Sequence, residues 1–555
     1  MRASFAFALL LVACGSDTSP VDGGVDTSVA PPDAGPPRDW PAAEPPATTE
    51  PEEGILRDVI VVDGVDAPPN PTTGDDTPRE LDRFAVVRFR AEGVPEPRAI
   101  VLAMPGFLGG AGSWEMLARH LVRRSVAASA PIEVWAIDRR ANLLEDRRGL
   151  DAAEALSEPD AARGYHFRGE TVGGEAFDGF VEQQDVPFAS EWGLATHVGD
   201  LHLLIARVPE AMRRGHVFLM GHSLGASFAE TYAAWRFEDG SRGVDELAGV
   251  ILIDGAQSET PATETEYAEG GGSGLMTMPG LTAIRERTRY FELPLLGSAV
   301  YARAEIVAMD ALLDPDTVRD DRERDVVLGT LLSLPIARVP SLTNAAAFGF
   351  AFDDASNGLT FAAVSMGRHE GGPTETYDSL FGTVLSRPSD PTATYSWIDV
   401  APADTAEFTP LENLARSWID GRTNFAEWYF PARLPLDLSA AAGLAIAEDG
   451  WQVEHGVRAL DGASMDAPVL AIAAGLRPVA SYAASRARGA PIGAGRPNAG
   501  VDRTDERAYR IVDATVMTHI DPLTAADAPR NPVPPAIVDF VLANVADGTI
   551  AATLP

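Results

Sequence analysis

The segment HVFLMGHSLGASFAE, residues 216–230, places Ser223 between a run of apolar residues and an alanine-rich stretch. The apolar run is typical of a buried β-strand, and the alanine-rich stretch is typical of an α-helix. Gly221 and Gly225 surround the serine in the pattern Gly-x-Ser-x-Gly, and glycine suits a sharp turn where strand and helix lie close together. The segment therefore predicts a strand, a tight turn that exposes the Ser223 hydroxyl, and a helix that begins beneath it.

Apolar runs like the one before Ser223 recur along the chain and indicate its fold class. They lie at residues 99–104, 132–137, 217–220, 250–253 and 469–473, and two further strand patterns precede them at 58–63 and 84–90. Helical patterns separate several of these runs, at 113–123, 197–207 and 224–235. Because strands that alternate with helices form parallel sheets covered by helices, the sequence predicts an α/β fold with a mostly parallel central sheet.

The chain is long enough for more than one structural unit, since its 555 residues exceed the size of an average domain. The alternation of strands and helices stops between residues 253 and 469, where strand patterns are few and helical patterns occur at 302–313 and 411–418. We therefore predict a large, mainly helical cap or lid insertion over residues 256–465. It divides the α/β core into residues 55–255 and residues 466–555.

The first residues have the pattern of an export signal. Residues 1–13 combine a basic residue with an apolar run too short to span a bilayer, and they end in Leu-Val-Ala before Cys14. This resembles the lipobox of bacterial lipoproteins, which implies a signal peptide at 1–13, a lipid anchor on Cys14 and a place in the bacterial cell envelope. Gly15 favours the outer membrane, and a secreted or periplasmic protein with an ordinary signal is the alternative. The Pro-, Asp- and Gly-rich residues 14–54 predict a disordered tether.

Composition argues against several classes of partner and site. A formal net charge of −37 repels nucleic-acid phosphates, so we expect no nucleic-acid partner. All 44 basic residues are arginine, so the glycine-rich stretch at 270–274 lacks the Gly-Lys-Ser/Thr element of a phosphate-binding loop. The single cysteine is Cys14, which excludes an intramolecular disulfide, and no Cys/His cluster predicts a metal site or a cofactor.

Four features give the region from residue 57 to 542 a resemblance to the α/β-hydrolase superfamily. They are the turn at Ser223, the strand and glycine turn in VLAMPGF at 101–107, the segment IEVWAIDRR at 132–140, and the surroundings of His519. The resemblance implies that the backbone N–H groups of Phe107 and Leu224 form an oxyanion hole, which stabilises a tetrahedral intermediate. Proline precedes the glycine turn where the family often has histidine, but a backbone donor depends little on that side chain.

A serine hydroxyl is a weak nucleophile and needs a neutral imidazole to accept its proton. The superfamily places serine, acid and histidine in that order along the chain, and only His369, His455 and His519 follow Ser223. The first two lie within the predicted cap, whereas His519 follows a strand pattern and precedes the last helical pattern of the chain. His519 is therefore the predicted general base, and His222 is expected to pack against its neighbours.

The acid that orients the histidine departs from the usual pattern. The superfamily usually carries it after the seventh strand of the sheet, but the run at 469–473 is followed by Ala-Gly-Leu-Arg-Pro-Val, without a carboxylate. Some lipases of the superfamily carry the acid after the sixth strand, and this chain has Asp254 there. Asp254 is the predicted acid, and Asp502 and Asp505 are the alternatives.

The resemblance implies a serine hydrolase for carboxylic esters, an esterase or a lipase, that acts on a small-molecule or lipid ester through an acyl-enzyme. Peptidase or acyltransferase activity would use the same residues. The alternative is a non-catalytic surface lipoprotein whose hydrolase-like scaffold binds a ligand or partner, an interpretation that the missing acid after the seventh strand supports. Aromatic residues of the predicted cap either form its own core or contact an acyl chain; they lie at 397, 418, 425 and 428–430.

Overall fold

The computed structural model describes residues 40, 47–48, 52–271, 277–292, 297–379, 382–400, 407–419, 421–551 and 554. The predicted signal peptide, the predicted lipidation site Cys14 and most of the predicted tether lie outside these residues. Three short parts of the tether region are described, at residues 40, 47–48 and 52–54. Trp40 packs edge-on against Phe188, with ring centroids 6.1 Å apart, and Ala47–Thr48 pairs with the first long strand of the sheet. No helix of the described ranges is long and apolar enough to cross a membrane.

One large sheet contains the strands that the apolar runs predict. Its eight main strands, numbered β1 to β8 in chain order, are Ile55–Asp63, Arg83–Ala91, Ala99–Met104, Ile132–Asp138, Val217–His222, Gly249–Ile253, Val469–Ala473 and Tyr509–Asp513. Their order across the sheet is β1-β2-β4-β3-β5-β6-β7-β8, and Ala47–Thr48 adds a further strand beyond β1, so the sheet begins before residue 55. β2 runs antiparallel to both neighbours, and the pairings from β4 to β8 are parallel. The predicted α/β fold is confirmed.

Helices cover both faces of this sheet, and others belong to the segment between its sixth and seventh main strands. Numbered α1 to α17 in chain order, they are Glu115–Ala127, Arg148–Leu156, Pro159–Arg168, Leu194–Ile205, Glu210–His216, Leu224–Ala233, Glu264–Glu269, Leu281–Glu286, Ser298–Leu313, Arg322–Leu331, Asn344–Phe352, Leu411–Ile419, Arg433–Ala440, Trp451–Glu454, Ala483–Ala487, Asp521–Thr524 and Val533–Asn544. α1 and α17 pack on one face with Val101 and Phe218, whereas α4 and α6 pack on the other with Leu102 and Leu219. Successive side chains of a strand point to opposite faces of the sheet, and both faces are covered by helices. Every residue of β3 to β7 is therefore buried.

Residues 254–468 separate β6 from β7 and are called the inserted segment below. This segment contains α7 to α14, and the helices predicted at 302–313 and 411–418 correspond to α9 and α12. It also contains short strands that the sequence pattern did not predict, at Arg368–Glu370, Thr374–Asp378, Val384–Pro388 and Thr394–Ile398. These strands form small antiparallel pairings and carry many polar, partly exposed residues, so no apolar run marks them.

Candidate active site

Ser223 occupies a strained turn between β5 and α6. Its backbone has φ 55° and ψ −119°, a conformation that costs energy for any residue with a side chain and persists only where the surroundings enforce it. A side chain at Gly221 would place its Cβ 2.0 Å from the carbonyl oxygen of Gly225, and one at Gly225 would lie 2.1 Å from that of Met104. The two glycines of the sequence pattern therefore permit the close approach of β3, β5 and α6 that presents Ser223.

His519 and Asp254 lie in contact although 265 residues separate them. Asp254 directly follows β6, and His519 lies in the turn between β8 and α16. Nδ1 of His519 is 2.6 Å from Oδ2 of Asp254, and both side chains are almost completely buried. Because a carboxylate only accepts hydrogen bonds, Nδ1 is the donor, so in the neutral form of the ring Nε2 is the nitrogen that keeps its lone pair. His519 and Ser223 line the same cavity.

The turn after β7 holds the Asp254 carboxylate in place. The backbone N–H groups of Ala474, Leu476 and Arg477 donate to it over 3.0, 2.9 and 2.7 Å. Burial alone would raise the pKa of Asp254, but the hydrogen bonds from His519 and from the Leu476 amide favour the carboxylate and hold the pKa below its ordinary value. This turn, which lacks the carboxylate expected after the seventh strand, instead binds the carboxylate of the neighbouring strand.

The two alternative acids lie elsewhere. Asp502 is exposed and accepts from the backbone of Thr504, and Asp505 pairs with Arg507 over 2.7 Å. Of the three carboxylates considered from the sequence, the structure therefore brings only Asp254 to His519. His369 and His455 belong to the inserted segment; neither lines the cavity that contains Ser223.

His222 supports His519 through the backbone, a contact for which the sequence gives no signal. Its Nε2 lies 2.9 Å from the carbonyl oxygen of His519, and the two imidazole rings have centroids 4.4 Å apart. Burial lowers the pKa of His222 to about 3, so the ring is neutral near pH 7 and its Nε2–H donates to the carbonyl. His222 packs as expected, and it also fixes the loop that carries His519.

The backbone N–H groups of Phe107 and Leu224 lie beside Ser223. Both residues line the cavity, Leu224 is the first residue of α6, and a side chain at Gly106 would place its Cβ 3.0 Å from Cβ of Ser223. Neither N–H donates to another group among the residues that the structure describes. These two N–H groups are therefore the candidate donors for an oxygen atom bound next to the serine.

The order of the sheet and the place of the turn identify the fold. A β1-β2-β4-β3-β5-β6-β7-β8 sheet with β2 antiparallel carries a strained serine between β5 and its helix, and a histidine follows β8. The chain has an α/β-hydrolase fold.

No protein-family model and no curated protein matches the sequence. Among solved structures, a protein from Sulfolobus solfataricus assigned as a lipase is 12% identical with a TM-score of 0.42, over 90% of this chain and 98% of that chain. The peroxisomal alpha-beta-hydrolase Lpx1 from Saccharomyces cerevisiae is 9% identical with a TM-score of 0.36, over 91% and 93% of the two chains. Epoxide hydrolase A from Mycobacterium thermoresistibile is 15% identical with a TM-score of 0.30, over 87% and 98%. These scores give no evidence about the activity of this chain. The activity is inferred below from the geometry of the site alone.

A buried ion pair braces the loop of this hydrolase fold that carries Phe107. Arg139, which directly follows β4, donates through Nη2 to the carbonyl oxygens of Pro105 and Gly106 over 2.5 and 3.1 Å, and through Nη1 to that of Gly109 over 3.0 Å. Nη1 also lies 2.8 Å from Oε2 of Glu427, and both side chains are at most 1% exposed. Arg139 belongs to the segment IEVWAIDRR at 132–140 that the sequence singles out, but the sequence gives no indication of this partner in the inserted segment.

The inserted segment also pairs with this loop through its backbone. Gly110 N donates to the carbonyl of Phe425 over 2.9 Å, and Glu427 N donates to that of Leu108 over 2.8 Å. Burial raises the pKa of Glu427 to about 7, and the charge of Arg139 opposes this shift only in part. The loop beside Ser223 is therefore clamped between β4 and the inserted segment.

A cavity of about 570 Å³ adjoins Ser223 and His519. Its wall consists of residues that follow β3, β5, β6 and β8 together with many apolar residues of the inserted segment. Of the aromatic residues singled out from the sequence, Trp418 and Phe425 line it, whereas Trp428, Tyr429 and Phe430 are buried in the core. No group of three His, Cys, Asp or Glu side chains in the described part of the chain is arranged to hold a metal ion.

Proposed function

We propose that this protein hydrolyses carboxylic esters, with Ser223 as nucleophile, His519 as general base and Asp254 as the orienting acid. The observation that carries the proposal is the 2.6 Å contact between His519 and Asp254 beside a serine held in a strained turn, all next to one apolar cavity. A serine, a neutral imidazole and a buried carboxylate in this arrangement are the requirements for nucleophilic catalysis of acyl transfer.

The proposed reaction proceeds in two halves. Ser223 Oγ attacks the ester carbonyl carbon while His519 Nε2 accepts the hydroxyl proton, and the N–H groups of Phe107 and Leu224 bind the resulting oxyanion. His519 then donates the proton to the leaving alkoxide oxygen, which gives the alcohol and an acyl-enzyme. A water molecule, deprotonated by His519, attacks the acyl carbon. The bond from that carbon to Ser223 Oγ then breaks as His519 returns the proton to Oγ, which releases the carboxylic acid and restores Ser223. Asp254 stabilises the imidazolium formed in each half.

An apolar cavity next to the serine favours an ester with a hydrocarbon part over a charged or peptide substrate. The export signal in the sequence adds a second proposal: lipidation of Cys14 anchors the enzyme at the bacterial cell envelope. Incorporation of a labelled fatty acid into the full chain, and its loss in Cys14→Ser, tests this second proposal independently of activity.

The activity is tested with a fluorophosphonate probe and p-nitrophenyl butanoate on the purified protein. We expect labelling and hydrolysis by the unmodified chain, neither by Ser223→Ala, and a fall in kcat of roughly 10⁴-fold in Asp254→Asn, as for comparable triads. Asp502→Asn is the matched control, since it alters a surface carboxylate, and it should retain full activity. An unmodified chain that neither labels nor hydrolyses would contradict the proposal and favour the non-catalytic binding protein.

A further inference from the structure

Asp521 is a completely buried carboxylate two residues after His519, and the proposed reaction does not use it. Its Oδ1 accepts from the backbone N–H of Ser365 over 3.1 Å and from the hydroxyl of Thr409 over 2.7 Å. Its Oδ2 accepts from the hydroxyl of Ser365 over 2.7 Å and from the backbone N–H of Thr518 over 2.8 Å. A carboxylate has about four acceptor positions, so this set of donors fixes its orientation.

The donors to Asp521 come from two separate parts of the chain. Thr518 belongs to the turn between β8 and α16 that carries His519, whereas Ser365 and Thr409 belong to the inserted segment. The two stretches of the inserted segment are also joined to each other, because the backbone N–H of Thr409 donates to the carbonyl oxygen of Ser365 over 2.9 Å. Asp521 therefore ties one point of the inserted segment to the turn that holds the histidine.

This connection is strong because the carboxylate depends on its donors. Burial raises the pKa of Asp521, and the hydrogen bonds from Ser365, Thr518 and Thr409 oppose that shift. Each of these donors is an uncharged amide or hydroxyl. A buried carboxylate that loses its donors costs a large free energy, so we expect Asp521 and the turn that contains it to move with the inserted segment.

Hydrogen bonds hold the turn of His519 at three successive places. Asp254 binds the imidazole ring, His222 binds the carbonyl oxygen of His519, and Asp521 binds the N–H of the preceding residue, Thr518. The first two partners belong to β5 or directly follow β6, so they belong to the core. Of these three contacts, the one through Asp521 makes the position of the histidine depend on the inserted segment.

A general base acts only at hydrogen-bonding distance from the proton that it removes, and a misplacement of about 1 Å can cost about 100-fold in rate. We propose that Asp521 is a positioning residue for the general base His519. Through this carboxylate, Ser365 and Thr409 of the inserted segment keep the imidazole within reach of the Ser223 hydroxyl. The inference rests on the proposed function, which assigns the histidine as the base. The inserted segment then contributes to catalysis as well as to the cavity wall.

The hydroxyl of Thr409 is tested by replacement with valine, which has the same shape and lacks the donor. With p-nitrophenyl acetate, Thr409→Val should lower kcat about five- to tenfold and change KM less than about threefold. Ser365→Ala/Thr409→Val removes both hydroxyl donors and should lower kcat about 30- to 100-fold, the upper value being that of a full misplacement. Thr409→Ser keeps the hydroxyl and should retain kcat within about threefold.

Thr196→Val is the matched control. Thr196 is a buried threonine of α4 whose hydroxyl donates to the carbonyl oxygen of Glu191 over 2.9 Å, and it lies outside the wall of the cavity. Its replacement should lower the unfolding temperature about as much as Thr409→Val does, with kcat per folded molecule unchanged within about twofold. An equal fall in kcat for the two variants would overturn the proposal, because loss of any buried hydroxyl would then have the same effect.

A second readout needs no substrate. The short hydrogen bond to Asp254 shifts the proton on Nδ1 of His519 far downfield in the proton NMR spectrum, and loss of the signal in His519→Ala assigns it. The signal should move upfield or broaden in Ser365→Ala/Thr409→Val and stay in place in Thr196→Val.

An unchanged kcat or an unchanged Nδ1–H signal in the folded double variant would overturn the positioning role. An unmodified chain that neither labels with fluorophosphonate nor hydrolyses esters would contradict the proposed function instead. The two failures are distinguishable, because the NMR comparison does not depend on activity.

Discussion

Replacement of Arg139 by methionine is expected to lower kcat with little change in KM. The substitution removes three hydrogen bonds to the carbonyls of Pro105, Gly106 and Gly109, which hold the N–H of Phe107 beside Ser223. Complete loss of one oxyanion donor costs about 3 kcal/mol, or about 150-fold, and this sets the upper limit. We expect a fall of about 10- to 150-fold in kcat.

The same substitution removes the partner of a buried carboxyl, so its effect on stability has to be separated from its effect on catalysis. Loss of one partner of a buried ion pair typically costs about 3–5 kcal/mol in the free energy of unfolding. Arg139→Met/Glu427→Gln leaves no unpaired charge and should recover most of that stability, while kcat stays low because the carbonyl contacts are still missing. Chemical unfolding and steady-state kinetics on both variants give the two quantities.

Arg140→Met provides the matched control. Arg140 is buried, pairs with Asp200 over 2.6 Å, and contacts no carbonyl of the 105–109 loop. It should lose stability to a similar extent while kcat per folded molecule stays within about threefold of the unmodified value. An unchanged kcat in folded Arg139→Met, or a kcat that recovers in the double variant, would refute the role given to this clamp.

Three further predictions concern the same site. Burial raises the pKa of Glu427 to about 7 from its ordinary 4.5, so the stability that protonated Glu427 contributes is fully present below about pH 4.5 and is lost as the pH rises towards 7. Glu427→Gln should therefore reduce the change in the free energy of unfolding over this pH range by up to about 3 kcal/mol. An unchanged dependence of the free energy of unfolding on pH would contradict this prediction. Gly475→Ala would place a Cβ 2.8 Å from the backbone nitrogen of His519 and should lower kcat more than tenfold, whereas Gly297→Ala, with open space around it, should not. His222→Phe keeps the ring but loses the 2.9 Å bond to the His519 carbonyl, so kcat should fall about fivefold to tenfold; full activity would show that the bond is dispensable.

The sheet could be predicted from the sequence because its signal is local. Strands such as β3 and β7 are short runs in which every residue is buried, and Ser223 lies in a five-residue pattern with a strand before it and a helix after it. The short strands of the inserted segment, such as Thr374–Asp378, were missed because exposed polar residues dominate them. A run of apolar residues, or a regular alternation of apolar and polar residues, arises only where the surroundings of the side chains stay the same along the strand.

The candidate active site could not be predicted in full from local sequence patterns. His519 could be predicted from chain order, but the choice between Asp254 and two other carboxylates depends on which backbone amides surround each, and the Asp254 amides come from a turn 220 residues or more away. Arg139 and Glu427 are separated by 288 residues, and neither has a sequence context that indicates the other. Contacts of this kind arise from the packing of the inserted segment on the core.

The proposed reaction depends on transfer of an acyl group to Ser223, which acid quenching during turnover of p-nitrophenyl butanoate can trap. We expect mass spectrometry of the digested protein to find one butanoyl group on the peptide containing Ser223, and none on that peptide from Ser223→Ala. Turnover at full rate with the butanoyl group on another residue, or turnover by Ser223→Ala, would contradict it.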